Sequence, residues 1–303
     1  MPAKITSIIM SIILFIANLL GVPLMTSESY IYYDISYGEH ERHTVDLCIP
    51  KYAGKMGLVL YIHGGAWIAG DKDVYRDTIK QISEKFGVAC AAINYRYICD
   101  TVDINDIMDD VDAALSFVKW QGKKHGVDIS RSILTGSSAG ANIALLYSYS
   151  RVENSAIPPV AVMSDCGPTD LTDDYYFYNP ELGKGNAIGD KAFIEQLLSW
   201  ACGKKITYET RDEAAEEIKK VSPLYYVNEN TVPTIINHGI VDDIVPFRNA
   251  QALDAKLTEC GVEHYFNIYP NSSHGLDKDP ECSQNAQRLF YEFIEKYLCF
   301  YAC

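Results

Sequence analysis

The chain has 303 residues, 48% of them hydrophobic, and a formal net charge of -14. This length and composition suit one large α/β domain. The negative charge argues against a nucleic-acid partner, because phosphate backbones carry the same sign.

The first 27 residues contain a long apolar run. Lys4 is the only charged side chain in this segment, and the run from Ile5 to Met25 has no charge. Such a run at a terminus is typical of a signal peptide or of an uncleaved membrane anchor, and no clear small-residue cleavage site distinguishes the two. Either alternative predicts that residues 28–303 are extracytoplasmic, secreted or membrane-anchored.

Eight short apolar or β-branched runs predict strands. They are residues 30–36, 43–49, 57–62, 88–93, 132–135, 159–164, 232–237 and 264–269. The first two are close enough for an antiparallel hairpin, and the later spacings suit helical crossovers. The clearest helix, residues 104–120, has an apolar face with acidic residues opposite. We therefore predict an α/β fold with a mostly parallel eight-stranded sheet flanked by helices.

The gap between the sixth and seventh strands is longer than one crossover needs. It holds two helix-like stretches, residues 190–202 and 211–220. We predict a small helical cap insertion at about residues 165–222. The tyrosine-rich stretch at residues 173–180 either lines a substrate site or packs the cap onto the body.

Ser138 is the predicted nucleophile. It stands at the centre of GSSAG, with Gly136 and Gly140 two residues away on either side. A serine at a sharp strand-to-helix turn projects its hydroxyl into a crevice, and the glycines allow close approach of neighbouring chain segments. The alternative is an ordinary glycine-rich turn or helix cap. A strand before the motif and a helix after it favour the nucleophile.

Two consecutive glycines, Gly64 and Gly65, follow the strand predicted at residues 57–62. They let the backbone turn N–H groups toward a developing oxyanion. We predict an oxyanion hole formed by the N–H groups of Gly64, Gly65 and Ala139, the residue after the serine. His63 is predicted to hold this loop by hydrogen bonds, because it precedes the serine in the chain and lies beside the glycines.

Asp242 and His274 complete a predicted catalytic triad. Each lies in a loop after a predicted strand, and the three residues follow one another along the chain in the order serine, aspartate, histidine. Asp242 would orient the imidazole and stabilise its charged form. The adjacent Asp243 is predicted to point away from the histidine, either as a solvated carboxylate or as a cap for the helix that follows. His238 is predicted to be a structural histidine.

The nine cysteines form no CxxC pair and no cysteine–histidine cluster with zinc spacing, which argues against a metal site. An odd number leaves at least one thiol unpaired unless it bridges two chains. The sequence assigns neither disulfides nor an oligomeric state.

The motifs HGGAW, NYR at 94–96, GSSAG, HGIVDDIVP and SHG resemble those of α/β-hydrolase fold esterases of the hormone-sensitive-lipase and feruloyl or acetyl-xylan esterase type. The resemblance covers roughly residues 30–298. It implies that residues 28–303 form an α/β-hydrolase domain. It also implies that Ser138 attacks an ester carbonyl, that His274 transfers protons and that Asp242 orients it.

We therefore expect a carboxylic ester hydrolase, a serine esterase that works through an acyl-enzyme intermediate and needs no metal or organic cofactor. The expected partner is a small-molecule or polysaccharide-linked ester, with short acyl or aryl groups and, by family analogy, acetyl or feruloyl groups on polysaccharide. One alternative is a peptidase or amidase on the same fold, although we expect no large domain ahead of the first strand. Another is a non-catalytic binding protein, which the intact triad disfavours.

Overall fold

An eight-stranded sheet forms the centre of the protein, which a computed structural model describes over residues 28–51, 54–178 and 190–300. The predicted leader, residues 1–27, lies outside the described residues. The strands are β1 Ser29–Ser36, β2 Thr44–Pro50, β3 Gly54–Ile62, β4 Ala89–Ile93, β5 Val127–Ser137, β6 Pro159–Asp165, β7 Thr234–Gly239 and β8 His264–Tyr269. Their order in the sheet is β1-β2-β4-β3-β5-β6-β7-β8. Strand β2 is antiparallel to both of its neighbours, and all other pairs are parallel.

Helices cover both faces of this sheet. They are α1 Arg76–Phe86, α2 Ile104–Lys124, α3 Ala139–Ser150, α4 Tyr175–Tyr178, α5 Lys191–Ala201, α6 Ala215–Lys220, α7 Phe247–Glu259 and α8 Pro280–Tyr297. Apolar side chains of α1 and α8 form one core layer, and those of α2, α3, α5 and α7 belong to the other. The predicted fold class, with its hairpin and eight strands, is confirmed.

Helix α2 has a capped first turn and a buried apolar face, and it also buries one acidic residue that the sequence pattern did not identify. Asp103 caps its first turn by accepting hydrogen bonds from two backbone N–H groups, and the predicted apolar face is buried. Asp110 is also buried, at 2% exposure, although the sequence pattern predicts acidic residues on the face opposite the apolar one. It bonds Arg96 Nη2 at 2.7 Å and His43 Nε2 at 3.0 Å, so its charge is paired inside the protein.

The excursion between β6 and β7 supplies α4, α5 and α6. Helix α5 buries an apolar face formed by Ile194, Leu197 and Leu198. The second helix-like stretch is helical only over residues 215–220, and residues 179–189 lie outside the described part of the chain. Among the described residues, no helix has the length and apolar character that crossing a bilayer demands.

The direction of chain progression reverses between β3 and β5. The chain passes from β3 to β4 on one side and then returns to place β5 on the other side of β3. Ligand sites of open α/β sheets form at the carboxyl ends of strands at such a reversal. Ser138 follows β5 and Gly64 follows β3, so both lie at this point.

Candidate active site

Ser138 lies between the end of β5 and the first residue of α3. Its backbone has φ 54° and ψ -123°, in the left-handed range that non-glycine residues seldom adopt. Its N–H donates to the carbonyl oxygen of Asp165 at 2.8 Å, which holds the turn against the end of β6. A strained backbone that surrounding contacts enforce is a frequent feature of reactive positions.

Both glycines of GSSAG lie so close to the end of β3 that neither position has room for a side chain. A Cβ on Gly136 or on Gly140 would overlap the carbonyl oxygen of Ile62, the last residue of β3. A Cβ on Gly64 would likewise lie 3.3 Å from Ser138 Cβ. The serine turn and the glycine loop after β3 therefore pack directly against each other.

His274 and Asp242 meet across two neighbouring loops. His274 Nδ1 lies 2.9 Å from Asp242 Oδ2, and His274 lines the same groove as Ser138. Asp242 is buried, while the His274 side chain is 19% exposed. The structure thus pairs His274 with Asp242 and places Ser138 on the groove that His274 also lines.

Asp242 is held as a carboxylate. Burial alone raises its pKa, but hydrogen bonds from His238 and His274 and from the N–H of Val245 outweigh that effect and leave the pKa far below its usual value. Its Oδ1 accepts from the N–H groups of Ile244 and Val245, both at 2.9 Å. An ionised Asp242 can accept the Nδ1–H of His274 and leave Nε2 of that ring as a base.

The predicted oxyanion donors lie around Ser138. Gly64 and Gly65 line the groove, and Gly65 has φ 115°, a conformation that favours glycine. Ala139 is the first residue of α3, so its N–H lies at the helix N-terminus, where unpaired N–H groups favour negative charge.

His63 contacts the glycine loop, and Arg42 contacts His63. Arg42 Nη2 lies 3.2 Å from His63 Nε2. Because a guanidinium only donates, this His63 nitrogen must accept, and the ring proton must be on Nδ1, which lies 2.7 Å from the carbonyl oxygen of Gly64. Burial lowers the pKa of His63 to about 4, and the charge of Arg42 adds to this effect. The neutral ring therefore holds Gly64 as the sequence predicted.

Two spaces of different character meet at Ser138. One is a partly open cavity of about 90 Å³ lined by Ala139, Trp67 and apolar side chains of α5 and of the segment after Asp243. The other is an open groove of about 760 Å³ that contains His274, Gly64, Gly65 and the carboxylates of Asp71 and Asp165. We call them the apolar cavity and the polar groove.

The tyrosine-rich stretch packs onto the body of the domain and also reaches the apolar cavity. Tyr176 lines the apolar cavity, and Phe177 is buried in the core. Tyr175 donates its hydroxyl to the carbonyl oxygen of Asp243 at 2.7 Å, which joins α4 to the loop of the triad acid. Residues 179 and 180 lie outside the described chain.

Asp165 is a further ionisable group in the polar groove. Burial raises its pKa to about 6, and the hydrogen bond from Asn237 Nδ2 at 2.7 Å opposes that rise. Its position at the end of β6, beside the serine turn, depends on the order of strands in the sheet, so no local sequence pattern marked it.

His238 contacts Asp242. Its Nε2 lies 2.9 Å from the carbonyl oxygen of Val245 and 3.3 Å from Asp242 Oδ2. The prediction of a structural histidine missed this second contact, although the four-residue spacing to Asp242 is a signal for it. Asp243 instead is exposed and accepts from Ser273 at 2.8 Å, and it does not cap α7.

Within the part of the chain that the structure describes, two clusters of side chains have the geometry for metal ligands: Cys166 with His238 and Asp242, and Asp34 with Asp46 and Asp73. In the second cluster the buried ammonium of Lys72 lies 3.1 Å from Asp46 and provides the positive charge. In the first cluster, His274 and two backbone N–H groups already form hydrogen bonds with Asp242. The eight cysteines of the described residues are free thiols.

Comparisons with known proteins identify the fold and the family. The BD-FAE family model matches residues 45–257. The chain is 36% identical over 255 residues to the probable isoprenylcysteine alpha-carbonyl methylesterase ICMEL1 of Arabidopsis thaliana, covering 81% of this chain and 51% of that protein. It is 25% identical to the non-reducing polyketide synthase adrD of Penicillium rubens, covering 84% of this chain and 13% of the synthase. The chain thus spans about half the length of the plant relative and about an eighth of the length of the synthase.

A solved structure shares the fold. A truncated form of a carbohydrate esterase from gut microbiota superposes with a TM-score of 0.68 at 20% identity, covering 89% of this chain and 98% of that one. At this identity the likeness shows the fold alone.

Proposed function

The chain belongs to the BD-FAE family of α/β-hydrolase esterases, and on that premise we propose that it is a serine hydrolase that cleaves carboxylic esters. The observation that carries this proposal is the 2.9 Å contact between His274 Nδ1 and the buried Asp242, in a groove that also contains Ser138. Nucleophile, base and orienting acid recognised by geometry define this chemistry.

In the proposed reaction, Ser138 Oγ attacks the ester carbonyl and His274 Nε2 takes the serine proton. The N–H groups of Gly64, Gly65 and Ala139 stabilise the oxyanion of the tetrahedral intermediate. His274 then protonates the leaving alcohol, and the acyl group remains on Ser138. Water, deprotonated by His274, releases the acid and restores the serine.

The positions of the two spaces support a proposed site for each half of the ester. The leaving alcohol must lie beside His274 to receive its proton, and His274 lines the polar groove and not the apolar cavity. The alcohol therefore occupies the groove. The acyl group, on the other side of Ser138, occupies the apolar cavity.

The sizes of these spaces favour a short acyl group on a larger, uncharged, hydroxyl-rich alcohol. A cavity of about 90 Å³ is smaller than the cavity of about 150 Å³ that holds a benzene ring, so an acetyl or butanoyl group fits better than a feruloyl group. Carboxylates of the groove accept hydrogen bonds from sugar hydroxyls and repel anionic alcohols. A polysaccharide-linked or small-molecule acetyl ester meets these conditions.

The test is hydrolysis of p-nitrophenyl acetate, butyrate and octanoate by the full-length chain. We expect the two short esters to be preferred, and Ser138→Ala to lower kcat by about 10⁴-fold or more. The neighbouring Ser137→Ala is the matched control and should remain far more active than Ser138→Ala. If the folded protein cleaves none of the esters, or if Ser138→Ala is as active as the parent, the proposal is wrong and amide substrates or a binding role replace it.

We also propose that the protein is extracytoplasmic, with residues 1–27 as a signal peptide or anchor. The uncharged run from Ile5 to Met25 supports this location. A phosphatase reporter that is active only after export, fused behind residue 40, should be active with the leader and inactive without it. Activity independent of residues 1–27 would contradict the proposal.

A further inference from the structure

Two side chains that line the apolar cavity each carry a buried polar atom without a partner. Trp67 Nε1 and the hydroxyl of Tyr176 are buried, and neither makes a hydrogen bond in the structure. Both side chains line the apolar cavity and are more than nine-tenths buried. Apart from Ser138, the other described residues that line the cavity have apolar side chains.

Such atoms are uncommon in folded proteins, because a buried donor that loses water without gaining a partner destabilises the structure. The two side chains come from distant parts of the chain, the loop after β3 and helix α4. Their shared feature is the empty space beside the nucleophile. A group that enters this space together with the ester is therefore the available partner for both.

The two atoms also define the chemistry of that group. An indole N–H only donates, and burial keeps the pKa of Tyr176 well above its usual value, so its hydroxyl retains its proton and can donate. No cationic side chain is among the described residues of the cavity wall, so a carboxylate would be buried there without a counter-charge. An uncharged acceptor, such as an ether, carbonyl or hydroxyl oxygen, meets both requirements.

We propose that the apolar cavity selects a short acyl chain that carries an uncharged oxygen acceptor, to which Trp67 Nε1 and the Tyr176 hydroxyl donate. This inference rests on the proposed ester hydrolysis and on the assignment of the acyl group to this cavity. Trp67 and Tyr176 are specificity-determining residues in it. A plain hydrocarbon chain of the same length would fill the space and leave both donors unpaired.

The experiment compares esters in which one oxygen replaces one methylene group. The pairs are p-nitrophenyl methoxyacetate with butanoate and p-nitrophenyl 3-methoxypropanoate with pentanoate. For each pair the ratio of kcat/KM values is divided by the same ratio for hydroxide-catalysed hydrolysis, which removes the intrinsic reactivity of the esters. We expect the corrected ratio for the full-length protein to exceed about 10 for at least one pair, a gain typical of one or two hydrogen bonds.

Variants assign the effect to the two donors. Tyr176→Phe and Trp67→Phe should each lower the corrected ratio about fivefold or more. Tyr175→Phe is the matched control, since that neighbouring hydroxyl donates to Asp243 and does not line the cavity, and it should leave the ratio unchanged. Circular dichroism checks that each variant is folded.

The outcomes separate this inference from the proposed function. If the parent cleaves the hydrocarbon esters and its corrected ratio is about 1 for both pairs, the inference is wrong and ester hydrolysis stands. The same holds if the Tyr175→Phe variant changes the ratio as much as Tyr176→Phe does. If the folded parent cleaves no ester, both are wrong. The parent ratio needs no variant, so a variant that fails to fold leaves the test intact.

Discussion

Replacing His63 would test whether its hydrogen bonds to Gly64 and Arg42 hold the glycine loop in position. His63→Leu removes the donor to the carbonyl oxygen of Gly64 and the acceptor for Arg42. His63→Asn is the matched variant, because an asparagine amide can place an N–H group near the position of Nδ1.

The expected size of the effect follows from what the loop does. Loss of one oxyanion donor costs about 3 kcal/mol, or about 10²-fold in kcat, and this is the upper limit for a displaced loop. We expect His63→Leu to lower kcat by about 10-fold to 10²-fold. His63→Asn should recover a large part of that loss, since it retains the bond to Gly64.

The assay is kcat for p-nitrophenyl butyrate, with inhibition by an alkyl boronic acid, which forms a tetrahedral anion on the serine. Binding of this transition-state analogue should weaken in parallel with kcat, because both depend on the oxyanion donors. A folded His63→Leu variant with kcat within twofold of the parent would refute this role. So would a lower kcat with unchanged boronic acid affinity.

The same histidine makes a separate contribution to the pH dependence of stability. Its folded pKa of about 4 lies below the ordinary value of 6.5, so the unfolded chain binds more protons between these pH values. Its contribution is complete above pH 6.5 and decreases as the pH falls to 4, by about 3 kcal/mol in total. Denaturant titrations of His63→Leu should lack this part of the pH dependence.

Two further predictions concern carboxylates of the site. Asp242→Asn should lower kcat about 10³-fold to 10⁴-fold at neutral pH, because it favours the wrong tautomer of His274. The control Asp243→Asn, in the same loop, should keep kcat within about tenfold of the parent. Equal losses of kcat in the two variants would contradict the assignment of the acid. Asp165 has a folded pKa of about 6, above its ordinary value of 3.8, so its favourable contribution is present below pH 3.8 and is lost as the pH rises through 6. Asp165→Asn should therefore raise the free energy of unfolding at pH 8 by about 3 kcal/mol and have little effect at pH 4. Denaturant titrations at the two pH values measure this difference, and an equal gain at both would disprove this account.

The positions of the strands could be predicted because each strand leaves a local pattern of apolar and β-branched residues. Their order in the sheet could not, since placing β4 between β2 and β3 depends on contacts between distant segments. The residues at the carboxyl ends of strands were nevertheless identified as site candidates, because a parallel sheet brings those ends to one edge. The apolar cavity was beyond prediction, since α4 and α5 reach it from an excursion whose path the sequence does not encode locally.

Long-range partners account for the remaining differences. Arg42 belongs to the turn between β1 and β2, and nothing near it in the sequence points to His63, 21 residues later. Asp110 has the spacing of a solvated helix position and is buried only because Arg96 and His43 meet it there. Such pairs depend on tertiary contacts, whereas the hydrophobic periodicity of the sequence indicates only which residues share a face of one helix or strand.

If the proposed reaction is correct, the hairpin of β1 and β2 should influence its rate from outside both spaces. Arg42 in its turn donates to the carbonyl oxygens of Tyr95 and Gly70 as well as contacting His63, so the loop beside the nucleophile is braced by a segment that does not line either space. Substitutions in this turn would change how fast the chemistry proceeds while the walls that choose the acyl group stay the same. Turnover and selectivity can therefore be engineered, or diverge in evolution, through separate parts of the chain.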